Sequence, residues 1–161
     1  MAVMSEAGQI AASDCAVALV RGYAEQDAVA VASSLVTLDT SGQARAYAIL
    51  GAQLQSTLSI VEVVGRDIEV CRLVRLADSV ASAAPPHYEF AVTEAVRAWA
   101  RDDPGGVRQV CGKDLVGALH VSAVFVAALG LALWGQDTFL GVLTDYGQTT
   151  QDPMTGHQPD F

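Results

Sequence analysis

Apolar residues recur along this chain at intervals of three and four, the spacing of one face of a helix. A first helix is expected from about Glu6 to Arg21, with Ala11, Cys15, Ala18 and Leu19 as its apolar face. A second is expected from about Glu25 to Leu38, with Gly22 as a weak separator. From Ser41 to Val64 the period is clearest: Tyr47, Leu50, Leu54, Thr57, Val61 and Val64 form a seam that Ile68 and Cys71 continue. Thr40 or Ser41 is placed to cap that helix, and Glu62 with Arg66 forms a favourable i,i+4 pair. After Gly65 the stripe shifts to Val70, Leu73, Val74, Ala77 and Val80, which predicts a fourth helix over about 67–82.

Ala84-Pro85-Pro86 stops that helix, and proline suits a first helical turn, so a fifth runs from Pro86 to about Arg101. Phe90, Ala91, Glu94, Ala95, Ala98 and Trp99 mark its expected inner side. Asp103 is a natural N-cap for a sixth helix, read as one continuous element from Pro104 to Trp134. A short seventh is expected over about 138–146, and the polar, proline-containing segment 147–161 reads as a flexible acidic tail. Strand signals are poor, because the alternating stretches lie in alanine-rich sequence and alanine is the best helix former. The fold class expected is therefore all-α: a single-domain bundle over residues 1–146, of about six or seven helices around a long apolar central one.

That central segment, Leu115–Trp134, is twenty residues without a charge. The length suffices to cross a bilayer. Against a span stand His120 and Ser122 at its centre, Gly117 and Gly130, and flanks without an excess of Lys or Arg. A helix ringed by others is also apolar on every side, so a buried core helix is expected, with a membrane span as the alternative.

Composition supports a packed core. Hydrophobic residues make up 52% of the 161, charged residues 17%, and the mean hydropathy is +0.33, which excludes general disorder. The net charge of −9 comes from 18 acids against only 9 bases. Lys113 is the single lysine and asparagine is absent, a pattern that fits a GC-rich bacterial or phage genome and removes any Asn-linked glycosylation site. The charge excludes a nucleic-acid binder with a basic face. The acids gather at both ends: Glu6, Asp14, Glu25, Asp27 and Asp39 against Arg21, then Asp137, Asp145, Asp152 and Asp160 without a base. Three distant cysteines, Cys15, Cys71 and Cys111, suit a reducing compartment, and no leader is evident near Met1, so a cytoplasmic location is expected.

Motifs that carry chemistry are missing or broken. Gly106 to Gly112 has one residue too many for a phosphate loop, and Asp114 stands where a hydroxyl should bind magnesium. His87-Tyr88-Glu89 lacks the cysteine pair a zinc deaminase needs, and Glu89 suits a first helical turn instead. Glu-x-x-His, Gly-x-Ser-x-Gly and His-Glu-x-x-His do not occur. His120 is the most conspicuous single residue and is expected to be a hydrogen-bonded core group.

No catalytic residue, metal ligand or cofactor is thus expected. The leading functional expectation is an acidic, non-catalytic interaction protein that neutralises or escorts a partner protein, in the manner of an inhibitor, immunity protein or antitoxin. Glu25, Asp27, Asp39, Asp137 and Asp145 are its candidate partner-binding residues, and the partner is expected to be basic. One alternative is self-association through the Tyr47–Cys71 seam into a homo-oligomer with a structural or adaptor role. Another is a small-ligand binder or enzyme with a pocket between helices and His120 or His87 at its edge.

Overall fold

The computed structural model describes residues 6–64, 70–112 and 114–151. Among these there are eight helices and no strand: α1 (Glu6–Ala24), α2 (Ala28–Ser33), α3 (Thr40–Val64), α4 (Val70–Ala81), α5 (Pro86–Ala100), α6 (Pro104–Cys111), α7 (Leu115–Trp134) and α8 (Gln136–Gln151). The all-α bundle around an apolar central helix is what the pattern predicts. α7 packs against α1, α3, α4, α5, α6 and α8, and fifteen of its twenty residues are buried. Its length and composition alone would let it cross a membrane.

The expected sixth helix is two. Gly112 caps α6, donating its N–H to the Arg108 carbonyl at 2.9 Å, and Asp114 starts α7 by accepting the Val116 N–H at 3.3 Å. A glycine followed by an aspartate that competes for backbone donors ends one helix and begins the next. The second helix is shorter than expected, because Glu25-Gln26-Asp27 is a turn and not a helical start. α3 is capped by Asp39, one residue before the expected caps, through a 2.7 Å bond from the Gly42 N–H. The last helix, α8, is longer at both ends than expected and takes in residues 147–151 of the expected tail. Arg66 of the Glu62–Arg66 pair, the continuation of the seam through Ile68 and the segment 152–161 lie outside the described residues.

One turn design is used twice. α1 ends with Gln26 at φ 56°, and α5 ends with Asp102 at φ 57°. In each case the next residue is an aspartate that caps the following helix: Asp27 accepts from Ala30 N–H at 3.1 Å, and Asp103 from Gly106 N–H at 3.0 Å. The left-handed positions carry Gln and Asp where glycine or asparagine would be easier. The second of these turns folds α6 back onto α5.

Several inner faces are rotated from the expected ones. α1 buries Ala12, Ala16, Leu19, Val20 and Tyr23, leaving Ala11 and Ala18 exposed. α3 turns Ala46, Leu50, Gln53 and Thr57 inward, while Tyr47 is exposed. α5 buries Val92, Ala95, Val96 and Ala98, and Phe90 stands 76% exposed. The α4 stripe of Leu73, Ala77 and Val80 is as predicted. With so much alanine, neighbouring stripes on a helix are almost equally apolar, and the partners decide which is buried. At the far end of α7, Gly130 is required by closeness: a Cβ there would lie 2.2 Å from the Phe139 ring of α8.

Candidate functional site

The candidate site is a cleft of about 490 Å³ between α5 and α6, closed at one end by the first turn of α7. One wall is a single stripe of α5: His87, Ala91, Glu94, Ala98 and Arg101, spaced by four, three, four and three. This is the expected apolar side of that helix only in part, since it carries three polar residues and faces the cleft instead of the core. The opposite wall is Gly106, Gln109 and Val110 of α6, a helix in which no residue is buried. Asp114 and Gly117 form the closed end.

The floor at that end is Tyr88, and the structure fixes it from three sides. Its ring stacks on the His120 imidazole, with centroids 4.8 Å apart and planes 25° from parallel. The His87 ring meets it edge-on at 4.7 Å. Its hydroxyl lies close enough to the Asp114 carboxylate to feel its charge and to be drawn towards it as a donor. Burial, then the charge and hydrogen bond of Asp114, push the Tyr88 hydroxyl above the usual phenol range, so it remains a donor at neutral pH.

Beneath Tyr88, His120 is buried and its Nδ1 lies 2.7 Å from the hydroxyl of Tyr23, which is fully buried on α1. Burial lowers the His120 pKa to about 4, an effect that nearby Asp114 opposes, and burial raises that of Tyr23. Both groups are therefore neutral at pH 7 and share one hydrogen bond whose direction follows the imidazole tautomer. As expected, His120 is a satisfied core group. Its ring is covered by Tyr88 and its Nδ1 is engaged by Tyr23, so it braces the cleft from below. Among the described residues no group of three or more His, Cys, Asp or Glu is placed to hold a metal.

The five candidate partner-binding acids lie elsewhere. All are exposed: Glu25 follows α1, Asp27 and Asp39 cap α2 and α3, and Asp137 and Asp145 belong to α8. Among the described residues, the helices that carry the two acidic ends do meet. α1 packs on α8, and Glu25 and Gln26 share a surface hollow of about 320 Å³ with Gln136, the neighbour of Asp137. Arg21 bridges the same helices, donating to Thr144 Oγ1 at 2.6 Å and to the Leu140 carbonyl at 3.4 Å.

Sequence reasoning placed His87 and His120 at the edge of a pocket as one alternative but missed Tyr23, Tyr88, Glu94, Arg101 and Asp114. The α5 stripe was legible as a four-three repeat of mixed polarity. The Tyr23–His120 bond spans 97 positions and left no local signal. A second, apolar cleft of about 440 Å³ lies on the other side of α6, between Leu54 and Leu58 of α3 and the Trp99–Phe125 ring pair. The chain matches no protein-family model, no curated protein and no solved structure, so its function is argued from the geometry of the molecule alone.

Proposed function

We propose that this protein binds a small organic molecule in the α5–α6–α7 cleft. The observation that carries the reading is the braced floor: Tyr88 is held by His120, His87 and Asp114, and His120 in turn by Tyr23. A recognition surface locked before its ligand arrives avoids the entropy of ordering on binding. The volume falls within the roughly 300–1,000 Å³ usual for such sites, and convergent polar groups beside a shifted imidazole are their common company. Native mass spectrometry of the protein drawn gently from its source tests this. A stoichiometric mass adduct that is absent from Ala91→Trp, a substitution that fills the cleft, supports the reading. A bare chain in both sinks it.

A second reading keeps the acidic interaction protein, and the meeting of α1 with α8 favours it. Glu25 and Asp137 then belong to one acidic edge suited to a basic protein. A pull-down at low and high salt, repeated with Glu25→Gln/Asp137→Asn, tests it. A stoichiometric basic protein that is lost with salt and with the double variant is the expected result. Equal capture by the variant would remove this edge from consideration.

A further inference from the structure

We infer that the ligand of the cleft is an organic cation, an ammonium on an extended hydrocarbon body; this rests on the small-molecule reading above. The α5 wall from His87 to Arg101 is about 20 Å long at 1.5 Å per residue. Along it, among the described residues, the cleft presents three carboxylates, Glu94, Asp103 and Asp114, against one guanidinium, Arg101. The charges are not evenly spread. In chain order along α5, Arg101 stands at the far end beside Asp103, whose Oδ1 is engaged in capping α6. Glu94 and Asp114 serve the middle and the closed end, where Tyr88 forms the floor.

The neutral lining completes the match. Between the charges lie Ala91, Ala98, Gly106 and Gly117, whose small side chains leave the groove open and apolar. A Cβ added at Gly117 would touch Tyr88 and Asp114 at 3.7 Å, so even that wall has room for one more carbon but not for a bulky group. An ammonium would find an acceptor in Asp114 at the closed end or in Glu94 at the middle, and its body would follow the alanine and glycine surface. The aromatic lining of Tyr88 and Phe90 adds the attraction of a ring face for a cation. Arg101 repels a second positive charge at the far end, which disfavours a linear diamine reaching that far. An anion would meet a carboxylate at the middle, Glu94, and another at the closed end, where Asp114 already occupies the start of α7 as its cap.

Three probes of equal chain length separate the possibilities: n-hexylamine, hexanoate and n-hexanol, each titrated into the full chain and followed by amide NMR shifts. Hexylamine is expected to shift residues around 87–101 and 106–117 and to bind at least tenfold tighter than hexanoate or hexanol. Glu94→Gln and Asp114→Asn are each expected to weaken it about fivefold. Asp114→Asn also removes a helix cap, so Glu94→Gln is the variant that decides if the other fails to fold. Hexanoate or hexanol binding as tightly as the amine, with the response lost in Ala91→Trp, would overturn the cationic ligand and leave the cleft standing. Saturable shifts from none of the probes, or shifts that persist in Ala91→Trp, would overturn both this inference and the small-molecule reading.

Discussion

The two halves of α7 are both uncharged but do different work. The first half carries His120, which joins α1 to α5 through Tyr23 and Tyr88, and ends at Asp114 on the rim of a polar cleft. The second half holds no such group. Gly130 lets the Phe139 ring lie directly on the helix, and Phe139 in turn stacks with Trp134 at 5.9 Å and 9°. One half is positioned by a buried hydrogen bond and a ring stack onto an imidazole, the other by close packing and a ring stack without a polar group. An uncharged helix therefore holds two kinds of order: polar contacts specify a site, and shape complementarity fixes the bundle's other end.

The centre between them should be the most sensitive point. Val124 is fully buried, and Val124→Asp would leave an unpaired charge in the core, costing more than about 3 kcal/mol out of a total stability of roughly 5–15. Loss of soluble, folded protein is the expected outcome in expression and circular dichroism. A soluble variant with an unchanged denaturation midpoint would show that this helix is not the core.

Acid should attack the first half alone. His120 titrates near 4 when folded against about 6.5 when unfolded, so the unfolded chain binds the extra proton between those values. Stability from this group is complete well above pH 6.5 and falls by about 3 kcal/mol as the pH drops through 4, levelling off below the folded pKa. Urea unfolding at pH 7.5 and 4.5 should show a smaller drop for His120→Gln than for the parent chain. Equal drops would mean that His120 is accessible to protons in the folded state.

Crowding should attack the second half. Gly130→Ala pushes a methyl into the Phe139 ring and is expected to cost about 2 kcal/mol, with most of the loss recovered when Phe139→Leu is added. Additive losses in that double-mutant cycle would place the strain elsewhere. The smallest effect belongs to Tyr23→Phe, which removes one hydroxyl and leaves His120 Nδ1 short of a partner, at about 1 kcal/mol. It should also change the cleft: NMR shifts of residues 87–91 are expected to move although none is substituted. Their constancy would show that Tyr88 does not depend on the bond below it.

Much of the fold was legible along the chain. Pro86 starts α5, Asp103 caps α6, and the uncharged run of Leu115–Trp134 becomes the enclosed helix. These signals are local: a missing donor, a side chain reaching three residues on, a stretch with nothing to solvate. Which face of a helix turns inward was less legible. Phe90 is exposed against the expectation, and Gln53, which is not part of the expected seam, is buried, because alanine-rich helices offer wide apolar arcs and their neighbours choose among them. Among the described residues Gln53 Oε1 has no hydrogen-bond partner, a position that no rule of periodicity would assign.

The sequence by itself determined that this chain is helical, where most helices begin and end, and that one of them must be shielded on all sides. Only the tertiary structure decided that Tyr23 meets His120, that Tyr88 covers it, and that Glu94 and Asp114 face one cleft. The reason is range. Caps, breaks and periods act within a few residues, whereas a site is assembled from side chains whose separation in sequence, 97 positions for the central pair, carries no information about their separation in space.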